Sequence, residues 1–191
     1  MASNYSAWAR GAVLFLGLLP FAGPAAEVAG QRIDACALLL DGEIRKAIGQ
    51  DVHAGERHDM GEVAPDIGSG KPSYSSTCLW RIKSGNEEPL DPNDPVAGTS
   101  FVMVNAIRWS TGVEGAKHYL QSFRDAAEDG TIDHQPSSID IGDEALWWGD
   151  GVALRKSETS VGVSVHLPGD RRKERLLEEA LAKIVARRTP R

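Results

Sequence analysis

The stretch EALWWGDGVALRKSETSVGVSVH, residues 144–166, limits the fold more than any other part of the chain. Apolar residues recur there at every second position, and two groups of turn-forming residues break the pattern. Side chains alternate between faces along a strand, so the pattern predicts three antiparallel strands with one face buried. Asp150-Gly151 is a favoured two-residue hairpin turn, which pairs Trp148 with Ala153 and Trp147 with Leu154. A second turn at Glu158-Thr159 pairs Leu154 with Val163 and Val152 with Val165. One face then collects Trp147, Val152, Leu154, Val161, Val163 and Val165, and the other collects Trp148, Ala153, Arg155, Gly162, Ser164 and His166. A one-residue slip would scatter the valines. Trp147 is therefore expected in the core and Trp148 on the opposite face.

That opposite face is the candidate binding surface. Ala153, Gly162 and Ser164 form a low floor beside the Trp148 indole, with Arg155 diagonal to it at cation–π reach and His166 nearby. Trp148, Arg155 and His166 are thus the candidate binding residues. Two other roles stay open for Trp148: shielding strand backbone, or lying beneath the segment 51–77 in a second small core.

The rest of the chain supplies helices and two more strands. Asp34 and Asp41 are placed to cap two short helical pieces, and Gly49 to end the second. Residues 51–77 show little periodicity and read as a long loop, a potential lid. TCLWRIK puts Cys78, Trp80 and Ile82 on one face, and TSFVMVNAIRW is apolar enough on both faces for a central strand. Thr111 and Glu114 spell a capping box before a helix whose Val113, Ala116, Leu120, Phe123 and Ala127 share one stripe. After Pro168-Gly169 a last helix buries Leu177, Leu181 and Ile184, flanked by Ala180 and Leu176. The order predicts an α+β fold, an antiparallel sheet of about five strands with helices packed on it.

The first 26 residues are read as a signal peptide, with Arg10, an apolar run of about a dozen residues and then small residues. The run falls short of the ~20 residues a spanning helix needs, so no stable membrane insertion is expected once the signal is removed. Residues 27–191 then form a single domain, periplasmic or secreted. The chain carries 21 basic and 27 acidic residues, a net charge of −6 that becomes −7 without Arg10. Its only dense basic groups are Arg171-Arg172-Lys173 and Arg187-Arg188, which argues against nucleic acid. The two cysteines, Cys36 and Cys78, suggest one disulfide in an exported chain, with two buried thiols as the alternative.

Catalytic patterns are weak. His134, Ser137 or Ser138, and Asp140 lie close in sequence, but no Gly-x-Ser-x-Gly elbow accompanies them. His53 and His58, with Glu56 and Asp59, match no strong metal spacing. Asp91, Asn93 and Asp94 lack the glycine and closing glutamate of a calcium loop, and Asp143-Glu144 fit a turn. No catalytic residue, metal or cofactor is expected. The expected role is non-enzymatic binding or sensing of a small molecule or an envelope protein. The alternatives are an accessory protein docked on another envelope protein, or a metal-dependent or hydrolytic enzyme.

DACALLLDGEIRKAIG, TCLW and IGDEALWWGDGVALRK together resemble a group of exported bacterial domains of unknown function. The group includes actinobacterial lipoproteins and the extracellular sensor domains of mycobacterial serine/threonine kinases. The resemblance implies a PsbP-like α/β sandwich, a Cys36–Cys78 bridge and a non-enzymatic sensing or binding role. The resemblance does not extend to a lipid-anchor cysteine or a kinase portion, so neither lipid tethering nor kinase signalling is expected from it.

Overall fold

The computed structural model describes residues 32–63, 73–83, 100–167 and 169–191. The expected signal segment, the Asp91–Asn93–Asp94 loop and residues 64–72 lie outside the described residues. The elements in chain order are α1 (Ala35–Leu38), α2 (Asp41–Ile48), β1 (Glu56–Val63), β2 (Ser73–Arg81), β3 (Phe101–Arg108), α3 (Val113–Glu128), β4 (Ser137–Ile139), β5 (Glu144–Trp147), β6 (Val152–Lys156), β7 (Thr159–His166) and α4 (Arg171–Arg188). The strands make one antiparallel sheet in the order β1-β2-β3-β7-β6-β5-β4. The class is α+β, as expected, with seven strands among the described residues rather than about five. The two additional strands are the sheet's edges. β1, ERHDMGEV, is charged and bulged between Asp59 and Gly61, features that protect an exposed edge and erase the alternation a sequence reading needs. It forms within the segment expected to be a loop. β4 has three residues, too few to show a period. Among the described residues, no helix is long and apolar enough to cross a membrane.

Helices pack on both faces. The inner face carries Cys78, Trp80, Val102, Val104, Val161, Val163, Val152 and Leu154, buried against α1, α2 and α4. The Cys36–Cys78 disulfide joins α1 to β2 across this layer. Asp34 caps α1, its Oδ1 accepting from Cys36 N at 2.9 Å, and left-handed Gly49 closes α2. Two expected caps are displaced. Asp41 is the first residue of α2 rather than its cap, and its carboxylate accepts the Trp80 indole N–H at 2.8 Å. α3 starts after Gly112, whose φ of +70° suits glycine, so Thr111 sits outside the helix and Val113 is exposed.

Both hairpins are shifted from the expected register by two residues. Residues 148–151 leave the ladder, so Trp147 pairs with Val152 and Ala145 with Leu154. The following turn falls at Ser157-Glu158, which pairs Val152 with Val163 and Leu154 with Val161. The Asp143 carboxylate accepts from Ser157 N at 2.6 Å, holding that residue at its left-handed φ of 54°. An even shift preserves the faces, so the valines remain inside.

The buried stripe of α4 is also rotated from expectation. It runs through Glu174, Leu177, Glu178, Leu181, Ala182, Val185 and Ala186, while Leu176 and Ala180 face outward. Two buried glutamates displace two apolar residues because both carboxylates find backbone donors beneath the helix.

Candidate functional site

The two tryptophans do take opposite faces. Trp147 lies against the inner core, partly buried, with its indole N–H donating to Glu178 Oε2 at 2.9 Å and the Arg175 guanidinium 4.3 Å from its ring centre. Trp148 joins a second, smaller core of Leu120, Leu146 and Ala153, with Tyr119 and Phe123 packed alongside. Its ring lies 5.3 Å from that of Phe123. Among the described residues, the cover over Trp148 is therefore α3. α3 fits closely because Gly162 offers no side chain. A Cβ there would lie 3.1 Å from the Tyr119 hydroxyl, and burial pushes that phenol's pKa up to about 12. Trp148→Ala is expected to cost about 2–4 kcal/mol, read from urea unfolding. A loss below ~1 kcal/mol would show that the indole is surface rather than core.

The three residues expected to form one patch are spread along the sheet. Arg155 sits opposite Glu144 and Ser160. Its side chain is 12% exposed and ion-paired with Asp143 at 3.3 Å, and it donates to Ser157 O. It clamps a turn. His166 lies six residues further along β7 than Ser160, roughly 20 Å away at strand rise. Trp148 borders the region between them: a Cβ on Gly151 would meet both Ser164 Oγ and the Trp148 indole nitrogen.

What the outer face does offer, among the described residues, is a half that no helix covers. α3 packs on β6 and β7 and leaves the β1–β2–β3 part without a helix among the described residues. Register places two adjacent rows there. Arg81, Phe101 and His166 form the first, and Glu56, Leu79, Met103 and Ser164 the second. His58, Thr77 and Asn105 extend them, with Asn105 Nδ2 donating to Thr77 Oγ1 at 2.8 Å. Arg81 is paired with Glu56, and the half-exposed His166 ring lies 5.4 Å from Phe101. Leu79 is buried, whereas Phe101 and Met103 are partly exposed. Only His166 of the expected trio belongs to this surface, at its rim. No family model matches the chain, and no curated protein or solved structure is significantly similar to it.

A second constellation escaped the sequence reading. Beyond Val163 the edge of β7 that β6 had occupied continues without a strand. Val165 N donates instead to Glu178 Oε1 at 3.2 Å and Leu167 N to Glu174 Oε1 at 2.6 Å. Four helical residues rise about 6 Å and two strand residues about 6.7 Å, so carboxylates at i and i+4 match alternate strand amides. The glutamates act as a surrogate strand. Both are almost fully buried, at 4% and 2% exposure. Loss of solvent pushes the Glu178 carboxyl up to about 7, reinforced by the charges of Glu174 and Asp150 and opposed by the bonds from Trp147 and Val165.

Several of the remaining candidates have structural partners, and the buried Ser137 hydroxyl has none among the described residues. Asp143 and Glu144 pair with Arg155 and Arg124, and Asp59 with Arg57 and Tyr74. Arg57 and Tyr74 hold the Asp59 carboxyl at about 2. The His134 ring packs 5.8 Å from Trp147, and Ser137 and Ser138 lie on β4. No group of three or more His, Cys, Asp or Glu suited to a metal ion occurs among the described residues.

Proposed function

We propose that this chain is an exported, non-enzymatic binding domain whose working surface is the open β1–β2–β3 half of the outer face. The observation that carries the reading is the pair of rows Arg81–Phe101–His166 and Leu79–Met103–Ser164, which combine apolar area with a few oriented polar groups, the mixture that ligand sites use. The disulfide suits an oxidising periplasmic or extracellular compartment. Helices on both sides of one antiparallel sheet suit the PsbP-like sandwich and the sensing role that the resemblance to exported lipoproteins and kinase sensor domains implies.

The expected ligand is a small molecule of that compartment. In a two-dimensional amide NMR titration with the low-mass fraction of an envelope extract, shifts should cluster at Phe101, Met103, Ser164 and His166, and Met103→Asp should abolish them. Shifts confined to the helices, or unchanged in the variant, would reject the surface. An envelope protein as partner is the second reading, favoured by the breadth of the face, whose rows run across three or four strands. It predicts line broadening at the same residues with the high-mass fraction only.

A further inference from the structure

The surrogate strand made by α4 has a charge problem. Glu174 and Glu178 stand one helical turn apart, nearly sealed from water, and both aim at the same strand edge. The surrounding charges do not resolve it evenly. From the β5–β6 connection comes Asp150, a third negative charge, held by Arg171. From α4, Arg171 reaches Glu174 at 3.7 Å, while Arg175 lies over the Trp147 ring and pairs with Glu179. From β7, His166 Nδ1 is 3.6 Å from Glu174 and is a counter-charge only when protonated. From β5, Trp147 offers Glu178 an N–H but no charge. Glu174 thus has two basic neighbours, whereas Glu178 has hydrogen-bond donors, feels Arg171 only at longer range and has no ion-pair partner among the described residues.

We propose that Glu174 and Glu178 form a proton-operated latch between the first two turns of α4 and the end of β7, closed while the pair carries one negative charge and loosened when both carboxylates are ionised. The proton resides on Glu178. In the closed state the neutral acid still accepts from Trp147 and Val165, and Glu174 stays beside Arg171 and accepts from Leu167 N. Ionising Glu178 adds a desolvated charge beside Glu174 and Asp150. Opening brings that charge back to water. The latch does not depend on the binding reading, although His166 links it to the rim of the open face.

The direction follows from proton linkage. The closed form holds its Glu178 proton up to about pH 7, whereas an opened, hydrated glutamate releases it near 4.5. The closed form therefore binds more protons between these values, and the open fraction rises with pH across that window. The gap limits the rise to about 300-fold, nearly complete by pH 8 or so.

Two measurements on the full chain test this. Carbon-detected NMR should show the Glu178 carboxyl titrating near neutrality. Amide exchange at Val165, Leu167 and residues 173–177, corrected for the intrinsic base-catalysed rate, should accelerate with the same midpoint, by ten-fold or more from pH 5 to 8. A carboxyl that titrates in the ordinary range would overturn the latch. Equal acceleration at Val104 and Val163 would also overturn it, since that reports global unfolding. In Trp147→Phe/Glu178→Gln, where the amide nitrogen no longer faces an indole donor, the acceleration should vanish, and its persistence would assign the effect to another group. The wild-type carboxyl titration decides the matter if that variant does not fold.

Discussion

Replacing the disulfide by Cys36→Ser/Cys78→Ala is expected to lower unfolding stability by about 4 kcal/mol, the chain-entropy value for a loop of this size. The separation of 42 residues makes the closed loop long, and the bridge ties down an element that could not stand alone. α1 has four residues, far below the length at which a helix is stable in water. Its other polar ties are to Ser76, whose Oγ accepts from Ala35 N at 3.2 Å, to Arg57, which meets the partly exposed Asp34 carboxylate, and to Arg188, which donates to Leu38 O at 3.4 Å. The buried Ala35, Leu38 and Leu39 cover the inner face of β2 and β3, so freeing α1 also exposes apolar core. Alanine at position 78 avoids burying a new hydroxyl where exposure is zero. Denaturant unfolding should show a lower midpoint, and thermal unfolding a drop of roughly 10 °C. An unchanged midpoint would mean that α1 is held by packing alone.

The sequence made the inner face legible and the outer face much less so. Valine alternation in β7 allows one placement that buries Val161, Val163 and Val165 together, and this survived two misplaced turns because both errors were even. Turn chemistry was the weaker guide. Asp150-Gly151 is a strong hairpin pair in isolation, yet Trp148 leaves the ladder and packs its ring on Phe123. Helix faces were harder still. α3 has an apolar stripe, but nothing local in its sequence says which side of the sheet it covers; that depends on the small outer residues Gly162 and Ala153 matching Tyr119 and Leu120.

Glu174 and Glu178 were invisible for a different reason. A glutamate on an amphipathic helix is ordinarily solvated, and its burial here depends on amides of β7 left over because β6 is short. One cue was available: Ala182, Val185 and Ala186 continue the stripe through 174, 177, 178 and 181 better than Leu176, Ala180 and Ile184 do. Arg155 and His166 were correctly placed on one face, but face membership does not give position along a strand, and a two-residue register error displaces neighbours by more than 6 Å.

Trp80→Ala is expected to cost about 3–5 kcal/mol, the range for deleting a fully buried large aromatic side chain. The side chain is 1% exposed at the centre of the inner layer, and its N–H bond to Asp41 fixes the first turn of α2 above β2. Packing is tight on the far side as well: a Cβ on Gly55 would come within 2.6 Å of the indole nitrogen and 2.8 Å of Cys78 Sγ. Trp80→Phe separates the two contributions. It keeps most of the buried area, removes the donor and is expected to cost about 1–2 kcal/mol, partly offset because Asp41 can turn to water. The alanine variant tests more than stability. Cys78 and Trp80 point inward, so Leu79 and Arg81 must point outward into the rows of the open face. If Trp80→Ala instead loses less than ~1 kcal/mol by chemical denaturation, the inner layer does not anchor β2, and the placement of Leu79 and Arg81 on the binding face loses its physical basis.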